Sequence, residues 1–313
     1  MKYFAKKTVT LIITLFIVSL LAFLAIQVIP GDVVSSKLGT SGTPEQIEAM
    51  RESLGLNRPV LIRYWDWLTA FLQGDFGTSY AYSLPVRDMI SQKLPITGIL
   101  VLMAFTFTAL LSFPLGIFSA RHEGGVFDRI LTVLNQVVMS IPPIFVGILL
   151  SYIFGTIFHL FMNGRFVSYT QSVPAFLIYM IFPALSIALS RTAMTVKMLR
   201  SSLLSEMGQN YIRTAYSRGH SRDTALRRHA LKNAVIPVIA FLGITAAEMV
   251  AGSIVIEQVF NVPGIGRLLL ASIGSRDFPV VQAIVVILAA WVVIVNFIAD
   301  LLSQYMDPRI RLG

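Results

Sequence analysis

Of the 313 residues, 55% are hydrophobic and only 13% are Asp, Glu, Lys or Arg, about half the charged share of an ordinary soluble domain, so a water-soluble globule is excluded and an all-α membrane protein is expected. The formal net charge is +9, but in a chain of mean hydropathy +0.74 basic residues first answer to cytoplasmic loops and anionic lipid, and a nucleic-acid partner is disfavoured. The absence of cysteine excludes disulfides, thiolate metal sites and a cysteine nucleophile.

A bilayer core about 30 Å thick requires roughly 20 apolar residues of helix. The run "VTLIITLFIVSLLAFLAIQVI", Val9 to Ile29, meets that length without a charge. Lys2, Lys6 and Lys7 precede it as in a signal peptide, yet the run is too long for such a core and "VIPGD" offers no small-x-small cleavage site, so a retained first span is expected. Residues 31–94 follow as a long segment of mixed charge. Within it, "TPEQIEAMRESLGL" reads as a helix with Thr43 as N-cap, Pro44 at the first helical position and Gly55 as the stop. "PVLIRYWDWLTAFLQGD" reads as a second, amphipathic helix whose Tyr64, Trp65 and Trp67 suit a membrane interface. This segment is either a cap that meets a partner or an interfacial helix that seals the bundle.

Further uncharged runs at 95–120, 130–162, 174–190, 234–256 and 280–299 bring the expected spans to six. An even number puts both termini on one side, and the basic residues choose the cytoplasm: Lys2, Lys6 and Lys7, then Arg121 and Arg129, then a cluster over 191–233, then Arg309 and Arg311. The resulting division is 1–30 for the tail and first span, 31–94 for an external helical segment, and 95–313 for the core with a cytoplasmic loop at about 200–233. Pro114, Pro142, Pro143 and Pro183 interrupt spans, as ordinary kinks or as breaks that border a pathway.

The densest basic stretch is "YIRTAYSRGHSRDTALRRHALKNAVIP", Tyr211 to Pro237. Leu203 or Leu204, Met207, Tyr211 and Ala215 recur at helical spacing, which predicts one helix running up to Gly219, where a left-handed residue is needed. Ser221 then caps a second short helix with Asp223 in its first turn and Leu226 and Ala230 on its apolar stripe. Two helices joined at a glycine form an elbow suited to a groove on a partner. The bland reading is a positive-inside signal that touches lipid phosphates.

Two charges fall in a later span. Glu248 is central in "FLGITAAEMVAGSIVIEQVF", among Gly243, Ala246, Ala247, Ala251 and Gly252, and a charge there costs roughly 2.5 to 3.5 kcal/mol. Its readings are a pathway residue that meets a peptide amino end or a cation, and a protonated or paired group that serves assembly. Glu257, near the expected outer end, is more easily hydrated. His122, His159, His220 and His229 are scattered without H-E-x-x-H spacing, no G-x-x-x-x-G-K-[ST] phosphate loop occurs, and "PGIGRL" lacks the third glycine of a dinucleotide motif.

The pattern R-T-A-x-x-x-G at Arg213 to Gly219, followed by "RHALKNAVIP", resembles the signature loop of permease subunits of bacterial ABC importers. Arg213, Thr214 and Ala215 stand where the general signature has E-A-A, and His229 and Lys232 depart from it as they do in the peptide and nickel branch. "VIPGD", "GDFGTSY" at Gly74 to Tyr80, "VFNVPGIGRLLLASIGSRDFPVVQA" and "DPRIR" are similar to words of that branch, in the same order. The resemblance implies a type I importer transmembrane fold in a bacterial cytoplasmic membrane and a permease for di- or oligopeptides, or else for nickel or a metal chelate. It further implies a second homologous permease, two cytoplasmic ATPase subunits that hold ATP and Mg, and an extracytoplasmic binding protein, with no catalysis, cofactor or metal of the chain's own. On it, Tyr211, Arg213, Thr214, Ala215, Gly219, Ser221, Leu226 and His229 are candidates for ATPase coupling, and Glu248, Gly252 and Glu257 for the pathway. Readings from other classes are an ion-coupled secondary transporter with Glu248 as coupling acid, which would carry inverted repeats, and a membrane scaffold or sensor.

Overall fold

The structure is a computed structural model that describes residues 2–28, 43–53, 57–159 and 166–306. The expectations for "VIPGD" beyond Val28, for Gly55 and for "DPRIR" lie outside those residues. Among them the chain forms twelve α-helical segments: α1 Lys2–Val28, α2 Pro44–Ser53, α3 Val60–Leu72, α4 Val86–Arg121, α5 Val126–Ser140, α6 Pro143–Leu150, α7 Val173–Met207, α8 Asn210–Ser217, α9 Arg222–Ala225, α10 Leu231–Val259, α11 Ile265–Gly274 and α12 Phe278–Met306. Five helices are long and apolar enough to cross a membrane. A sixth crossing is reached if α5 and α6, with the π-helical stretch Ser151–Ile157 that extends α6, count as one span. Those two are bent by 101°. The single run expected over 130–162 is therefore broken, because Pro142 and Pro143 supply no backbone N–H and each disfavours the α region for the residue before it; Ile141 and Pro142 are extended, with ψ 123° and 139°.

The contacts group the chain into two units, Met1–Thr97 with Pro263–Val293, and Gly98–Val262 with Ile294–Gly313. In the first, Thr43 caps α2 as expected: its Oγ1 accepts from Gln46 N at 3.3 Å while Gln46 Oε1 accepts from Thr43 N at 3.1 Å, a reciprocal capping box. Of the three aromatic residues expected at an interface, Trp65 is exposed, but Tyr64 is buried. Its hydroxyl lies 2.8 Å from that of Ser19 on α1, and its ring meets Phe16 and Phe23 edge-on. Asp277, fully buried between α11 and α12, accepts from Ser79 Oγ at 2.5 Å and from Tyr80 N at 2.9 Å. The two words "GDFGTSY" and "SRDFP", far apart in sequence, thus meet through one carboxylate.

In the second unit α7 is the hub, with α5, α6 and α10 packed on it. Glycines set the closest approaches. A Cβ on Gly147 of α6 would lie 2.9 Å from Ile256 Cδ1, and one on Gly243 of α10 would lie 2.1 Å from Ala299 Cβ of α12. A larger side chain at Gly243 would displace a helix, whereas at Gly147 the end of the Ile256 side chain would have to give.

Candidate coupling elbow and pathway face

The elbow begins where α7 stops. Gly208 and Gln209 break the helix after Met207, so the single helix expected up to Gly219 is two. The short α8 places Ile212 and Ala215 inward and leaves Tyr211 exposed, a correction to Tyr211's assignment to the apolar face. Its hydroxyl instead donates to Glu206 at the end of α7 and accepts from Asn233 Nδ2 at 3.2 Å at the start of α10. Partial desolvation of that hydroxyl, and next its hydrogen bond to the Glu206 carboxylate, push the Tyr211 phenol above its usual value although the residue as a whole is exposed.

Gly219 is left-handed, with φ +84°. His220 N bonds Ala215 O at 3.2 Å and Gly219 N bonds Tyr216 O at 2.9 Å, the paired closure of a Schellman end. A Cβ on Gly219 would meet nothing within 4 Å, so the glycine answers to backbone conformation alone. Ser221 caps the next helix as expected, accepting from Thr224 N at 3.3 Å. The second arm is not a separate short helix, however. With no breaker between Ala225 and Leu231, α9 runs through a π-helical stretch, Leu226–Ala230, into α10, and the whole of Arg222–Val259 is one candidate span.

The elbow's inner side is apolar. Ile212, Ala225, Leu226 and Ala230 join Leu199 and Leu203 of α7, Ala120 of α4 and Ala234, Val238 and Leu242 of α10 in one buried cluster. Ala215 and Leu226 therefore hold the elbow's own fold, while Tyr211, Arg213, Thr214, Gly219 and Ser221 face outward. His229 is half-buried, its Nε2 enclosed without a hydrogen-bond partner and its ring edge-on to His220 at 5.2 Å.

The basic cluster is also a set of stitches. Arg222 Nη2 reaches Glu123 Oε2 at 2.5 Å, and Asp223 pairs with Arg121 at 3.0 Å and with Arg227 at 3.3 Å. The α4–α5 turn that carries Arg121 and Glu123 is itself bound to α7. Asp128, with 4% of its side chain exposed, takes Arg200 Nε at 2.6 Å and Nη2 at 2.8 Å, Ser119 Oγ at 2.5 Å and Gly124 N at 2.9 Å. The elbow is thus tied through turn and core to α4 and α7.

On the same α7 and α10 lies a second site. Glu248 is half exposed and forms an ion pair with Arg191. The sequence places Arg191 at the head of a cytoplasmic cluster beginning where the 174–190 run ends; in the structure α7 continues to Met207 and Arg191 is near its middle. No breaker follows Ser190, and the charge is met by Glu248, so the helix has no cause to stop. Gly252, one turn beyond Glu248, has open space before its Cα. Glu257 differs from expectation: it is fully buried, close to where α10 ends and Val262 N bonds Glu257 O at 2.9 Å. It does not share the face of Glu248.

Residues 112–312 match the family described as the binding-protein-dependent transport system inner membrane component, and residues 1–101 match the N-terminal part of such components. The chain belongs to this family. Relatives span it end to end. One, from Sinorhizobium fredii, is named a probable peptide ABC transporter permease and is 32% identical over 99% of both chains. A nickel import system permease of Staphylococcus aureus is 33% identical over 98% of this chain and 90% of its own. A dipeptide transport system permease of Lactococcus lactis is 32% identical over 99% of both. The protein is accordingly a membrane-integral permease component of an ABC transport system. What the sequence did not isolate in this permease are Arg191, Asp128 with Arg200, and Asp277. For Arg191 a signal was present, an opposite charge to Glu248 inside the adjacent span.

Proposed function

We propose that this permease forms half of the translocation pathway of an ATP-driven importer for di- or oligopeptides and receives the ATPase stroke through the elbow at 211–233. In this reading it crosses the bacterial cytoplasmic membrane six times with both termini inside. It pairs with a second homologous permease, and two cytoplasmic ATPase subunits, which hold ATP and Mg, dock on the outward side chains of Tyr211, Arg213, Thr214 and Ser221. An extracytoplasmic binding protein delivers the peptide. The observation that carries the reading is the elbow's two-sidedness: a buried apolar interior continuous with the membrane helices, and an exposed polar exterior around a left-handed glycine. A nickel or metal-chelate substrate is the second reading, favoured by the nickel permease relative of equal identity.

Purification from its host is expected to co-isolate two ATPase subunits, and a cross-linker placed at Ser217→Cys, on a chain otherwise free of cysteine, is expected to capture one of them. Labelling of that cysteine from outside intact cells, or ATP-independent uphill uptake by the chain alone in vesicles, would overturn the proposal. Uptake of labelled peptide and nickel, assayed in parallel, separates the two substrates.

A further inference from the structure

The exposed faces of the permease's helices are of two kinds. On α1 the exposed side chains include Val9, Ile12, Ile13, Phe16, Ile17 and Leu21, and on α5 they include Val126, Phe127, Ile130, Val133, Leu134 and Val137. Both are suited to lipid. The face shared by α7 and α10 is not. Arg191 and Glu248 pair there with 24% and 51% of their side chains exposed. The next turns of α7 add Met194, Lys197, Met198, Ser201 and Ser205, which with Met139, Pro237 and Phe241 line a cavity of 560 Å³. An Arg, a Glu, a Lys and several serines along four turns of one face are costly against hydrocarbon, so the face borders water or another subunit.

Arg191 lies roughly 24 Å along α7 from its Met207 end, and Glu248 roughly 26 Å along α10 from Leu231. Each therefore lies well inside its helix, Arg191 near the middle of α7. The pair as a whole is neutral, and its two charges come from different helices, each accessible on one side. A zwitterion fits such a pair. Its ammonium replaces Arg191 at Glu248, its carboxylate replaces Glu248 at Arg191, and net charge at membrane depth stays zero before, during and after passage. A dipeptide, extended over about 7 Å, carries its two opposite charges at its two ends. The methionines of the adjoining cavity are unbranched and adaptable, as a surface must be that accepts differing side chains. A bare divalent cation would bring like charge to Arg191.

We propose that Arg191 and Glu248 form an exchangeable charge pair that reads the free amino and carboxyl ends of a short peptide midway along the pathway, with the methionine- and serine-lined cavity as the next station inward. The inference rests on the permease reading above, and on its peptide branch.

The test uses the full complex of permeases and ATPases in vesicles, with Ala251→Cys as reporter. Ala251 is exposed one turn from Glu248. A water-soluble maleimide is expected to label this cysteine, and a free dipeptide at millimolar concentration to slow labelling at least fivefold. The same dipeptide acetylated at one end and amidated at the other is expected to give no protection. Protection by the free peptide is expected to vanish in Arg191→Gln and in Glu248→Gln and to persist in the charge-exchanged pair Arg191→Glu with Glu248→Arg. A cysteine that water-soluble maleimide never reaches in the assembled complex would make the pair an assembly contact and overturn the proposal, as would equal protection by free and blocked peptides. Peptide uptake by the same vesicles with binding protein and ATP is read separately: its absence in the parent complex would sink the permease reading itself, whereas intact uptake with no selective protection sinks only the charge-pair assignment.

Discussion

Two arginines on α7, Arg191 and Arg200, stand about 13.5 Å apart along one helix, and each is paired with a carboxylate of a neighbouring helix, yet they are built for opposite purposes. Arg200 grips Asp128 with two nitrogens, and that carboxylate, almost wholly enclosed, has two further donors. Arg191 makes a single ion-pair contact to Glu248, whose side chain is half exposed. A carboxylate with four donors and no access to water is fixed, and the turn it belongs to is fixed with it. One with a single partner and an open side can exchange that partner. The lesson is that satisfaction and exposure, more than the presence of an ion pair, separate a strut from a site.

The sharpest way to break the contrast is to remove each arginine in turn. Arg200→Ala leaves Asp128 enclosed without its counter-charge and is expected to cost about 3 kcal/mol or more, seen as a large drop in the thermal midpoint of the detergent-purified complex. Arg191→Gln is expected to cost less than about 1 kcal/mol, in the range of exposed pairs. A reversal of that order would mean that Arg191, not Arg200, is the strut.

Gly219 extends the comparison to the elbow, which the Arg200 strut supports. Because no atom lies within 4 Å of a Cβ built there, Gly219→Val meets no steric collision and only the left-handed backbone opposes it, at roughly 1 to 2 kcal/mol. The expected result is a complex that still assembles but whose ATP hydrolysis no longer drives uptake, measured as the ratio of substrate carried to ATP consumed. An unchanged ratio would show that the elbow's conformation is not what couples them.

Much of this was legible in the sequence. Five of the expected spans, the Thr43 and Ser221 caps and the left-handed Gly219 follow from apolar run length and from residue types with one strong local preference. Helix ends inside the cluster were less so: Gly208 breaks α7, while no residue after Ser190 or Ala225 does, and a basic residue is not a helix stop when a carboxylate on another helix neutralises it. Asp128 carries no local signal of its role, because its four donors come from α4, the turn after it and α7. Asp277 was hidden for the same reason, since Ser79 and Tyr80 are nearly two hundred residues away and periodicity carries no signal over such a distance. Glu257 was placed at a hydrated end by its position along the helix, whereas its side chain is fully buried.

The smallest expected effect concerns Tyr211, a neutral tie at the same joint that the arginines secure by charge. Its hydroxyl donates to Glu206 and accepts from Asn233, so Tyr211→Phe is expected to lower stability by about 1 kcal/mol. The pH dependence has a definite sign. The folded phenol titrates above the ordinary value of 10.0, so folding favours the protonated form; the contribution is complete below the unfolded pKa and is lost as pH rises through the folded one. The gap between parent and Tyr211→Phe should therefore be flat from about pH 7 to 9 and close only in stronger alkali. The Arg200–Asp128 strut supplies the control: at those pH values guanidinium and carboxylate both keep their charge, so the loss caused by Arg200→Ala should not shrink over the interval in which the Tyr211 gap closes. A Tyr211 gap that instead narrowed near neutrality would assign the tie to a group other than the phenol.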